Sequence, residues 1–193
     1  NFIAENFARV WTSNDPFRIC FKTTEARLDI AHREVEIGIR NQPAESGNLA
    51  SRPTVEIAFA PYVARNHPDP EGSEWVSLGS EEAVTRSARW LLAQEDTSIC
   101  AWANTPHTLR DVVRAGAGRG VMPCFSGDRD PQLMRAGPLI AELAETQYLV
   151  MHNDDRHRPE VRKVIDRLHA LFRDHAELCR GDRPIGTSGA EKA

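Results

Sequence analysis

Arg40 closes the run Val35-Glu36-Ile37-Gly38-Ile39-Arg40, and a guanidinium at the end of a strand can hold a carboxylate or phosphate through paired hydrogen bonds. Ligands of open α/β sheets collect outside the carboxyl ends of the strands, which is where this Arg falls. The same side chain can also snorkel to solvent or pair with a nearby carboxylate such as Glu45, and position alone leaves both readings open. Asn41 follows it. Thr23 and Thr24, Asn104 and Thr105, and the Met122-Pro123 turn stand at other element ends. Together they would supply the few placed polar groups and apolar walls of a small-molecule cleft. Local capping competes for each hydroxyl, about equally for Thr24 and more strongly for Thr105, because a Thr before a helix satisfies one of its open N–H groups.

Other chemistry is poorly supported. Cys124, just after Pro123, would serve as a nucleophile if a His such as His107 were brought near in space. A Cys beside Phe125 is more often a small buried hydrophobe, and no Ser-His-Asp arrangement accompanies it. Gly116-Ala117-Gly118-Arg119-Gly120 has the look of a dinucleotide loop, but it follows a helix and precedes a strand, the reverse of the required context. The His residues are scattered without ligand spacing, and Asp128-Arg129-Asp130 lacks the Gly and Glu of a calcium loop. We therefore expect no metal and no cofactor.

The 193 residues carry a net charge of −4 and 40% hydrophobic content, enough for one ordinary domain or two small lobes. Such a balance does not suit gripping a phosphate backbone, which needs clustered Lys and Arg. The Cys at 20, 100, 124 and 179 are widely spaced and read as reduced thiols of a cytoplasmic protein. No apolar run reaches the length of a bilayer span, so no membrane partner is expected. A start at Asn1, inside a helical pattern and without Met, reads as a piece of a longer protein.

Elements must position these residues. Phe2, Ile3, Phe7, Val10 and Trp11 fall at helical spacing and predict a first helix packed on a sheet. Phe17, Ile19 and Phe21 alternate as a strand, Thr23-Thr24 can cap a helix over 25–34, and Val35 to Arg40 follows, so a β-α-β unit with two parallel strands is predicted. Val55, Ile57 and Phe59 predict a strand broken by Pro61. Strands over 75–78 and 98–103, a helix from Ser80 to Leu92, a helix capped by Thr105 with Pro106 first, and a strand from Gly120 come next. Residues 124–137 read as turns, Tyr148 to Met151 as a strand, and Pro159 opens a helix with the stripe Val161, Val164, Ile165, Leu168, Leu171 and Phe172. Beyond Glu177 the chain reads as frayed.

Three stretches resemble the effector-binding domain of the LysR-type bacterial transcriptional regulators. They are Leu28-Asp29-Ile30-Ala31 with Val35 to Arg40, where Glu36 stands in place of the family's Asp; Val112 to Pro123; and Arg158 to Arg162. Their order and spacing match to about residue 175. The resemblance implies an α/β fold of two Rossmann-like lobes joined by crossover strands, similar to type 2 periplasmic binding proteins. Residues 1–60 and 147–178 would be lobe I, 61–146 lobe II, and 179–193 a disordered tail, with the first strand of lobe I and the winged helix-turn-helix absent from the sequence. It further implies a small-molecule effector in the inter-lobe cleft, a carboxylate being one candidate class, a homodimer or tetramer, and DNA contact only through the missing N-terminal domain. Thr23, Thr24, Arg40, Asn41, Asn104, Thr105, Met122 and Pro123 match its pocket-lining segments. No catalytic role is expected; a solute-binding protein of the same fold, or an enzyme using Cys124, are the alternatives.

Overall fold

The computed structural model describes residues 2–22, 29–44, 47–79, 85–94 and 97–182. In chain order the first half contains α1 (Phe2–Glu5), α2 (Phe7–Val10), β1 (Ile37–Arg40), β2 (Leu49–Ile57), β3 (Phe59–Ala64), β4 (Trp75–Leu78), α3 (Arg86–Leu92) and β5 (Ile99–Ala103). The second half contains α4 (Pro106–Arg114), β6 (Arg119–Pro123), α5 (Cys124–Gly127), β7 (Leu133–Arg135), β8 (Glu145–His152), α6 (Pro159–Asp174) and α7 (Ala176–Arg180). The chain divides into two compact units, one of residues 1–56 with 145–176 and the other of residues 57–144 with 177–193.

In the first unit the sheet runs β1-β8-β2. β1 pairs with β8 antiparallel, Ile37 opposite Met151 and Arg40 opposite Tyr148. The helix α6 is amphipathic as its spacing predicts, burying Val161, Ile165, Leu168, Leu171 and Phe172. The N-terminal helical pattern is broken into two short helices at Asn6, whose Nδ2 donates to the Phe2 carbonyl at 2.8 Å. This pair packs on α6 rather than on a sheet: α2 contacts α6, and the Phe2 ring stacks on Phe172 with centroids 5.8 Å apart.

The predicted parallel β-α-β unit is not present among the described residues. Residues 17–22 form no strand. The Phe17 carbonyl accepts from the Trp11 indole at 2.7 Å, and the Phe21 ring sits edge-on to Phe7 at 5.6 Å. The segment is thus engaged by Trp11 and Phe7 and pairs with neither sheet, so alternation alone did not make a strand. The predicted helix over 25–34 falls partly outside the described residues; from Asp29 to Glu34 the chain makes turns, with Glu34 N–H donating to Asp29 C=O at 3.0 Å.

The second unit holds a sheet of order β5-β4-β6-β3-β7. β4 is parallel to both β5 and β6, whereas β3 is antiparallel to β6 and β7. Pro61 does not break the strand but lies inside β3, opposite Val121. Its carbonyl accepts from Ala136 N–H at 2.9 Å, and the β3–β7 pairing begins only at Tyr62, so the missing N–H faces a place where no ladder bond is required. The core of this unit gathers Ala60, Tyr62, Val76, Ala103, Leu109, Val113 and Met122. Gly120 is required where α4 crosses β6, since a Cβ there would stand 2.8 Å from Val113 Cγ2 and 3.1 Å from Leu109 Cδ2.

Two further expectations are corrected here. The 124–137 segment is not all turn, because Cys124–Gly127 is helical and Leu133–Arg135 joins the sheet. The chain past Glu177 is not frayed at its start: Ala176–Arg180 is helical and Cys179 is fully buried.

Candidate functional site

Three parallel strands of the second unit, β5, β4 and β6, end at one edge of their sheet, at Ala103, Leu78 and Pro123. Carboxyl ends of parallel strands present N–H groups and helix starts to a ligand, which makes this edge the natural site of the unit. Asn104 and Thr105 leave β5 there, and Met122 and Pro123 end β6. Gly79, just past β4, keeps the edge paired: its N–H donates to the Ala103 carbonyl at 2.7 Å. Its φ of +102° is the left-handed region that favours glycine.

Asn104 is exposed. Thr105 is half-buried and caps α4, its Oγ1 accepting from Thr108 N–H at 3.1 Å and sharing a hydrogen bond with the Thr108 hydroxyl at 3.0 Å. Pro106 opens the helix, where its missing N–H costs nothing. Met122 lies in the core, 3% exposed, while the half-buried Pro123 precedes α5 in extended conformation. Of this group Asn104 is thus the residue most open to solvent, and the Thr105 hydroxyl is already engaged in capping.

Arg40 and Asn41 belong to the other unit. Arg40 ends β1, half-buried, and Asn41 is exposed in the bend that follows. The strand beside Arg40 is antiparallel β8, so the expected parallel context at this position is corrected. Gly38 allows close packing on its own face: a Cβ there would meet Ile30 Cδ1 at 2.5 Å and approach Arg40 Nε to 3.7 Å. Thr23 and Thr24 lie outside the described residues.

Sequence reasoning missed Gly79 and Thr85. Thr85 caps the described part of α3, its side chain accepting from Ala88 N–H at 3.1 Å; the expected start at Ser80 lies outside the described residues. A Gly directly after an apolar strand was the available signal for Gly79, but only the position of β4 between two parallel neighbours gives it meaning.

The alternative nucleophile is shielded. Cys124 is fully buried, and burial pushes its thiol above the ordinary range. A thiol held protonated and away from solvent is a poor nucleophile. Its neighbour Tyr62 is likewise held protonated by burial and donates to Asp128 Oδ1 at 2.8 Å. Among the described residues no group of His, Cys, Asp or Glu is placed to hold a metal ion, and no helix is long and apolar enough to cross a membrane.

Residues 16–173 match the model of the LysR substrate binding domain. No curated protein matches. Among solved structures, the regulatory domain of CrgA, a LysR-type transcriptional regulator from Neisseria meningitidis, is similar with a TM-score of 0.67 and 17% identity, covering 88% of this chain and 90% of that one. The effector binding domain of QuiR in complex with shikimate follows with a TM-score of 0.53 and 13% identity, covering 76% of each. Full-length LysG from Corynebacterium glutamicum with bound effector Arg has a TM-score of 0.56 and 7% identity, over 75% of this chain and 53% of that one. At these identities the structures share the fold, a mixed α/β architecture with two sheets like that of the two-lobed binding proteins. The match over most of the chain settles the family: this chain belongs to the LysR substrate binding domain family.

Proposed function

We propose that the chain is the effector-binding domain of a LysR-type transcriptional regulator and that it senses a small organic acid. The observation that carries this reading is the common carboxyl edge of β4, β5 and β6, with Asn104 exposed on it and Gly79 opening the backbone beside it. Arg40, half-buried at the end of β1, supplies the cation for a carboxylate. In this reading the two compact units are the two lobes. Thr23, Thr24, Asn41, Thr105, Met122 and Pro123 complete the proposed lining.

The domain senses rather than turns over its ligand, and it acts in the cytoplasm, as a homodimer or tetramer, with DNA read by another part of the full protein. The effector works by population shift: an effector that prefers one lobe arrangement tenfold moves that equilibrium by about 1.4 kcal/mol per site. Equal affinity for both arrangements would shift nothing.

A thermal-shift screen against small organic acids and amino acids tests this. A ligand at 100 times its Kd stabilises the folded chain by about 2.7 kcal/mol, a rise in melting temperature well above noise. Stabilisation by an acid that is lost in Arg40→Ala supports the reading; stabilisation only by neutral or cationic compounds overturns the acid assignment.

A further inference from the structure

The chain crosses between its two units at 56/57, at 144/145 and again at 176/177, so the short piece after α6 returns to the second unit. That piece is bound there through a single residue whose other face is held by α5. Ala58, the one residue between β2 and β3 that belongs to neither, donates its N–H to the Cys179 carbonyl at 2.9 Å and accepts at its own carbonyl from Cys124 N–H at 2.9 Å. The returning piece is thereby fastened beside the first crossing.

A half-buried arginine paired with a buried aspartate holds its end. Arg135 Nη2 donates to the Gly181 carbonyl at 2.7 Å, while Arg135 Nε donates to Asp128 Oδ1 at 3.0 Å and Nη2 also reaches Asp128 Oδ2. Asp128, with a side chain 1% exposed, is completed by the Tyr62 hydroxyl at 2.8 Å. Gly181 takes a φ of +75°, and a Cβ there would stand 2.8 Å from Arg135 Nη2, 2.9 Å from Cys124 Sγ and 3.0 Å from Leu139 Cδ2. The segment is also closed on itself, Gly181 N–H to Leu178 C=O at 3.1 Å and Asp182 N–H to Glu177 C=O at 2.9 Å.

We propose that residues 177–182 form a latch on the second unit: a separable cooperative piece, clamped by Arg135, that secures the β2–β3 crossing at Ala58 and covers the Cys124 thiol. It belongs to neither sheet and holds about one turn of helix, the composition of a segment that opens below the global unfolding limit. Because it sits beside two of the places where the chain passes between units, its opening frees both passages at once.

Native-state hydrogen exchange on the full chain tests this. The Ala58, Gly181 and Asp182 amides should exchange together, through one opening, ahead of the β3 and β6 amides. Exchange of these three only with the global transition, or through unrelated openings, would overturn the latch. In a Cys20→Ser/Cys100→Ser background, Gly181→Ala should speed both Ala58 exchange and thiol-reagent labelling of Cys124 about tenfold, since an Ala in the left-handed region is strained. The β4 and β5 amides should keep their rates. Should Gly181→Ala not fold, Asp128→Asn, which keeps an acceptor for Tyr62 but weakens the clamp, should give the same selective acceleration. Unchanged Ala58 and Cys124 rates in a folded variant, or equal acceleration throughout the second unit, would contradict the proposal.

Discussion

The Gly79 amide donates to the Ala103 carbonyl at 2.7 Å, one residue beyond the end of β4. That bond carries the parallel pairing of β4 and β5 to its limit and brings Asn104 to the same edge as the backbone of Gly79. Because Gly79 is in the left-handed region with open space where a Cβ would stand, Gly79→Ala meets no clash and feels only backbone strain. It should cost about 1 kcal/mol of stability. Denaturant unfolding with an unchanged m value checks this; a neutral substitution would mean the turn relaxes without loss.

Thr105 has a local job that is separable from ligand contact. Thr105→Ala removes the acceptor for Thr108 N–H and should destabilise the second unit by about 1 kcal/mol, whereas Thr105→Ser should nearly restore it. If Thr105→Ser recovers stability and effector affinity together, capping explains the position; if it recovers stability alone, the threonine methyl touches the effector.

Much of this part of the fold was legible in the sequence because short-range chemistry decides it. Thr105, Pro106 and Gly116 mark the start and end of α4 whatever surrounds them, and the stripe from Val161 to Phe172 needs only helical spacing. Residues 17–22 were misread because alternation describes a strand without naming its partner, and here the segment is held by Trp11 and Phe7 instead of a neighbouring strand. Pro61 was misread for the complementary reason: a proline in a strand is harmful only where its N–H would face a ladder, which sequence does not reveal. The proposed site is legible only in part. Asn104 and Arg40 stand out by chemistry and position, but Gly79 becomes meaningful only once β4 is known to lie between β5 and β6.

Asp15 gives the first unit an acid-sensitive anchor. Its buried carboxylate accepts from Arg167 Nη1 at 2.6 Å and from Thr12 N–H at 2.8 Å and pairs with Lys163, and these partners, Arg167 first, hold its pKa well below the usual carboxylate range. A carboxylate depressed in the folded state stabilises fully above its unfolded pKa of about 3.9 and loses that contribution as pH falls toward the folded value. Asp15→Asn should therefore be clearly less stable than wild type at pH 6, with the gap narrowing below about pH 4. A gap independent of pH would show that the lost hydrogen bonds, not the charge, matter.

Arg40→Ala should weaken binding of a carboxylate effector by about 2 kcal/mol, with Arg40→Lys intermediate because an ammonium keeps the charge but not the paired geometry. Calorimetric titration of each variant checks this. Unchanged affinity in Arg40→Ala would remove this residue from the site.

The most direct measurement is an amide-resolved NMR titration of the chain with an acid taken from the thermal screen. The account predicts that the largest saturable shifts fall at Gly79, Asn104 and Thr105 in the second unit and at Arg40 and Asn41 in the first. Saturable shifts confined to other surfaces, with these amides unmoved, would contradict it.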